Sequence, residues 1–145
     1  MTMDLKAMRQ LGATMAEGTP QTKALGVKFV SVEPGVGVMR LPWRADLVGD
    51  PETGVIASGV ITTLLDHCGG LAIKAAKTDF SATATLDLRI DYMRPARVGE
   101  DVIGRAHCYK MTRSIAFVRC VAYETDPDDP IATAQGAFVL AGAPS

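Results

Sequence analysis

The sequence predicts an α+β domain in which one antiparallel sheet wraps around a single long helix. Three observations carry this. Over residues 83–92, Ala84, Leu86, Leu88, Ile90 and Tyr92 alternate with Thr83, Thr85, Asp87, Arg89 and Asp91, the period of a long strand with one apolar face. Further strand-like runs cover residues 101–111, 115–124 and 131–140, punctuated by Arg94-Pro95, Thr112-Arg113-Ser114 and Asp126-Pro127-Asp128-Asp129-Pro130. Ahead of them, Val60, Ile61, Leu64, Leu65, Cys68, Leu71, Ala72 and Ala75 cover most of a helix's circumference, so that helix must be enclosed.

The remaining elements follow in chain order. Leu5, Met8, Leu11 and Met15 recur every three or four residues, which makes residues 3–15 a short amphipathic helix ended by Gly18 and Pro20; its methionines are expected to pack. Residues 1–20 are read as this helix and a linker, and 21–145 as one domain. Residues 27–43 hold two β-branched runs around Pro34-Gly35, a hairpin. Residues 44–57, rich in Gly, Asp and Pro, read as a loop ending at Ser58, the expected N-cap of the long helix.

The 145 residues are 48% apolar, enough for the core of one domain. Fifteen basic and 16 acidic residues leave a net charge of −1 without blocks of one sign. Nothing there marks a nucleic-acid or anionic-membrane surface, so small molecules and copies of the chain are the expected partners. Cys68, Cys108 and Cys120 lack any CxxC or Cys/His spacing, which implies no metal site and buried thiols in a reduced, cytoplasmic setting. Asp4, Lys6 and Arg9 interrupt the apolar run a signal peptide needs, and no segment has the ~20 apolar residues of a membrane span.

The long helix also carries the candidate chemistry. Thr62, Asp66, Gly69, Gly70 and Ile73 lie three or four apart on one face. An interior glycine costs roughly 1 kcal/mol relative to alanine, so the Gly69-Gly70 pair marks a close approach to the backbone, by a substrate or by another strand. A carboxylate at Asp66 must find partners or shift its pKa upward. That suits a buried acid held by a hydroxyl or an amide, and equally a general base or nucleophile. At the helix start, unpaired N–H groups around Ser58, Gly59 and Val60 carry the positive end of the macrodipole and can hold an oxyanion.

The run GVIASGVITTLLDH, Gly54 to His67, and the block Asp91-Tyr92-Met93-Arg94-Pro95-Ala96 followed by Gly99-Glu100-Asp101 resemble hotdog-fold acyl-CoA thioesterases of the phenylacetate-degradation (PaaI) type. With the order of elements, the resemblance spans residues 25–140. It implies hydrolysis of an acyl-CoA, with no cofactor or metal beyond the coenzyme A of the substrate, in a homodimer or dimer of dimers whose sites draw on two chains. By position it implies Asp66 as base or nucleophile, the Ser58 and Gly59 amides as oxyanion donors, Asp50 in the loop before the helix, and Thr85 orienting water. Thr62, Gly69, Gly70, Arg94 and Arg97 are its candidate substrate contacts, the arginines toward coenzyme A phosphates. Two departures stand out: Ala57-Ser58-Gly59 replaces the family's His-Gly-Gly, and Asp50 replaces its Asn. A backbone donor survives the first change; the second removes an amide donor and adds a carboxylate. A non-catalytic acyl-CoA binding module and an enoyl-CoA hydratase are the alternative readings of the same fold.

Competing nucleophiles fit less well. Val55-Ile56-Ala57-Ser58-Gly59 is not a GxSxG elbow. His67 points about 100° away from Asp66 on a helix, which suits packing or an interface. Cys68 has no basic neighbour to lower its pKa, and His107 has no evident partner. Trp43, Phe80, Leu86 and Tyr92 are the residues whose packing should set pocket depth.

Overall fold

The computed structural model describes residues 4–77 and 81–141; Phe80 lies outside them. Two helices come first, α1 (Leu5–Glu17) and α2 (Pro20–Leu25). Asp4 caps α1 by accepting from the Ala7 N–H at 2.7 Å. A short helix the sequence reading did not assign follows the expected linker: Thr19 caps α2 and Pro20 occupies its first turn, the position where a missing N–H is harmless.

The hairpin β1 (Lys28–Glu33) and β2 (Val36–Leu41) turns at Pro34-Gly35, with Gly35 at φ 72°, a conformation glycine adopts freely. The segment expected to be a loop contains a 3-10 turn (Ala45–Leu47) and a small ribbon, β3 (Val48–Asp50) with β4 (Val55–Ile56). The long helix α3 (Ser58–Lys77) follows, then β5 (Thr83–Tyr92), β6 (Val102–Met111), β7 (Ile115–Tyr123) and β8 (Ala132–Leu140). Ser58 is the first helical residue, not the cap; the residue before the helix is Ala57, whose carbonyl accepts from the Val60 N–H at 3.1 Å.

Six strands form one antiparallel sheet in the order β1-β2-β6-β7-β8-β5. Its inner face encloses α3, whose Ile61, Leu64, Leu65, Cys68, Leu71 and Ala72 are buried. The helix sits close because two inward strand positions lack side chains. A Cβ at Gly104 would lie 2.9 Å from Leu64 and Cys68, and one at Gly37 would lie 2.7 Å from Leu71.

The expected single apolar face of β5 is corrected. The register against β8 slips between Thr85 and Asp87, leaving a bulge at Leu86. Leu88, Ile90 and Tyr92 oppose Gly136, Ala134 and Ala132, whereas Thr85 and Thr83 oppose buried Phe138 and Leu140. Opposed residues share a face. The bulge therefore turns Leu86 outward, 59% exposed, and brings the two threonines inward. Among the described residues no helix is long and apolar enough to cross a membrane, and all three cysteines are free.

Candidate active site

Asp66 lies near the middle of α3, where the inner face of β5 passes over it. The inward Thr85 hydroxyl donates to Asp66 Oδ1 at 2.7 Å. The pair opens into a cavity of about 290 Å³ that Met15, His67, Gly70, Lys74 and Phe138 also line. The carboxylate thus has a hydroxyl partner and a space beside it.

The helix start forms a second cavity of about 330 Å³, where Asp50, Ala57, Ser58 and Gly59 meet. A Cβ on Gly59 would meet nothing within 4 Å, so this end of α3 is open. Asp50 accepts from the Thr53 hydroxyl at 2.8 Å and the Glu52 N–H at 3.1 Å. Those two bonds, the hydroxyl's the stronger, hold its carboxyl below the usual aspartate range, so it stands as an ionised acceptor. A third cavity of about 420 Å³ adjoins Ser58, Tyr92 and Arg94.

Eight residues separate Ser58 from Asp66, about 12 Å along a helix. Within one chain the acid and the helix-start amides therefore face different cavities. The Thr62 and Tyr92 hydroxyls lie on the Ser58 carbonyl, at 3.2 and 2.9 Å, and on each other, their two protons shared among the three contacts. The end of β5 is thereby tied to the helix start. Sequence reasoning placed Tyr92 only as a pocket wall; alternation gives the face of its side chain but not the partners of its hydroxyl, Thr62 and Ser58.

The glycine pair is split. A Cβ on Gly69 would meet the Phe138 ring at 3.0 Å and Val118 at 3.4 Å, so a strand, not a substrate, is what approaches Gly69. A Cβ on Gly70 would meet only the Met15 methyl, at 3.7 Å, and Gly70 lines the Asp66 cavity. His67 packs as expected, donating from Nε2 to the Met15 carbonyl at 2.9 Å. Arg94 is corrected from a substrate contact to an anchor. Its guanidinium holds both oxygens of Glu124, at 3.0 and 2.5 Å, and donates to the Pro95 and Asp129 carbonyls and to Asp129 Oδ1. All five N–H groups are engaged. The Glu124 side chain is 1% exposed. Burial pushes its carboxyl up, but the Arg94 hydrogen bonds and the Arg97 N–H outweigh that and hold it below the usual range. Arg97, half exposed, pairs with Asp129 and Glu100.

The enclosed helix and its sheet are the hotdog fold, shared with proteins of known structure. A Pseudomonas aeruginosa protein is 37% identical, covering 91% of this chain and 98% of that one, with a TM-score of 0.83. The phenylacetic acid degradation protein PaaI of Thermus thermophilus is 27% identical over 83% of this chain and 98% of that one, with a TM-score of 0.72. Human acyl-coenzyme A thioesterase 13 is 25% identical over 118 residues, 81% of this chain and 82% of that protein. A Halobacterium salinarum protein named as an esterase is 37% identical over 76 residues; this chain spans 50% of its length, and the match 50% of this chain. The Thioesterase superfamily model matches residues 53–131, more than half of the sequence and all of the helix and strand that carry Asp66 and Thr85: the chain belongs to the thioesterase superfamily.

Proposed function

We propose that the protein hydrolyses an acyl-CoA thioester to the free acid and coenzyme A, in sites built from two copies of the chain. The observation that carries this reading is the Thr85 hydroxyl held on the Asp66 carboxylate beside a cavity. Asp66 removes a proton from water as that water attacks the thioester carbonyl carbon, while Thr85 orients the carboxylate and the water. The carbonyl oxygen, turning negative, accepts from the Ser58 and Gly59 N–H groups at the partner's helix start, where the macrodipole favours an anion. When the adduct collapses, the carbon–sulfur bond breaks and the coenzyme A thiolate leaves with the proton that Asp66 took up. Direct attack by the carboxylate would use the same placement.

Asp50 contributes an acceptor beside the oxyanion donors, and Thr62, Gly70 and Arg97 contribute substrate contacts. A homodimer or dimer of dimers, a cytoplasmic setting and no cofactor belong to the same reading. The spacing of about 12 Å along α3 supports a two-chain site, and the acyl-coenzyme A thioesterase among the relatives supports the substrate class. The test is turnover over a panel of aryl, short and long acyl-CoA esters. Asp66→Asn should lower kcat by two or more orders of magnitude. Unchanged turnover in a folded variant defeats the proposal, and acyl-CoA binding without hydrolysis by the native protein would make it a binding module.

A further inference from the structure

We propose that Met15, at the end of the N-terminal helix, is the residue that limits acyl-chain length in the Asp66 cavity. The proposal rests on the acyl-CoA reading above, whose substrate class it narrows. The amphipathic stripe of α1 suggests packing alone, yet the structure brings its last methionine to the wall of the cavity that holds Asp66 and Thr85.

Two contacts fix it there. His67, the neighbour of Asp66 on α3, donates from Nε2 to the Met15 carbonyl at 2.9 Å, so the backbone of α1 is pinned to the same turn that carries the acid. Lower on α1, Gly12 lies against the Phe29 ring so closely that a Cβ would stand 2.2 Å from it, which seats the helix on β1. The Met15 methyl then lies 3.7 Å from where a Gly70 side chain would begin. An acyl group whose carbonyl sits at Asp66 and whose chain runs along Gly70 meets that methyl as its end stop. Methionine suits such a stop because it is flexible and fills irregular space. The absence of a side chain at Gly70 keeps the path open from the helix side.

The test measures chain-length preference in two ways. One is kcat/KM over straight-chain acyl-CoA esters; the other is calorimetric affinity for S-alkyl-CoA thioethers, which cannot be hydrolysed. Each buried methylene contributes about fourfold to affinity. Met15→Ala removes three heavy atoms, so its optimum should lengthen by about two or three methylenes, with a gain of tenfold or more for the first length that native protein rejects. Gly70→Ala, whose methyl would stand in ordinary contact with the Met15 methyl, should shorten the optimum. Melting curves identify any variant that fails to fold, and the two variants predict shifts of opposite sign. If the profiles of both folded variants overlay the native one while Asp66→Asn still abolishes turnover, the Met15 proposal is overturned and the hydrolase reading stands. If thioether affinity shifts with Met15 in a protein that hydrolyses nothing, the proposal stands and the hydrolase reading falls. Failure of any thioether to bind overturns it.

Discussion

Thr85 reaches Asp66 across 2.7 Å only because the strand that carries it is bulged at Leu86. Without the extra residue Thr85 would share the outward face of Asp87 and Arg89. Asp66 would then have no hydroxyl partner from β5. A hydrogen bond to a charged group contributes about 1.5–3 kcal/mol. If it is made in the transition state, its loss lowers the rate roughly 10- to 100-fold. Thr85→Val should therefore lose that much kcat, with a loss of stability no larger than the bond contributes, and Thr85→Ser should restore most of both. Deleting Leu86 should resemble Thr85→Val in kcat while also lowering the melting temperature, since it turns Thr83 and Thr85 outward.

Most of the fold was legible because periodicity reports burial. The four long strands and α3 fall within a residue or two of their expected bounds, and the GVIASGVITTLLDH run led to both halves of the candidate site. What escaped was set by register and by tertiary partners. The alternation of Ala84, Leu86, Leu88, Ile90 and Tyr92 is real in sequence, yet a single unpaired residue reverses which half of it faces the core. Gly69 and Gly70 look equivalent along the chain; Phe138, distant in sequence, separates them. Arg94 resembles any arginine beside a proline until Glu124 is found buried behind it.

That buried pair predicts a stability effect rather than an activity effect. Arg94→Met leaves the Glu124 carboxylate nearly sealed from water without its fork of donors, which should cost about 3 kcal/mol in urea denaturation. Because Arg94 spends its N–H groups inside the protein, affinity for coenzyme A esters should change far less than stability does.

Glu124 also gives the molecule a defined acid limit. Its carboxyl is held below the ordinary value, so the native state favours the ionised form more than the unfolded chain does. The resulting stability is fully present above the unfolded value of about 4.3 and is lost as pH falls through the lower folded value. Glu124→Gln should flatten this acid limb of the stability curve, measured as the urea midpoint between pH 7 and pH 3.

The two buried thiols should be inert in the folded protein. Burial pushes Cys120 up to about 12, with the Asp66 charge adding to it, and burial also raises Cys68. At pH 8 roughly one Cys120 in ten thousand is then thiolate. Iodoacetamide should label Cys108, half-buried, slowly in the native state, and the other two only on unfolding. Rapid native labelling of Cys120 would show that the sheet opens at this point.

The two-chain site can be tested by complementation. Gly59→Pro removes one helix-start N–H at the second helical position, where no intrahelical bond is lost, so the fold should survive while turnover drops 100- to 1000-fold, as when an oxyanion donor is removed. Asp66→Asn disables the other half of the site. Each variant alone should be nearly inactive. In a randomly mixed population half of the dimers carry one chain of each kind. Each mixed dimer then assembles one site from the intact Asp66 of one chain and the intact amides of the other, plus one doubly damaged site. Co-expression should return about a quarter of native activity, given isologous pairing. If acid and amides worked within one chain, every site in the mixture would carry a lesion and activity would stay at the level of the single variants.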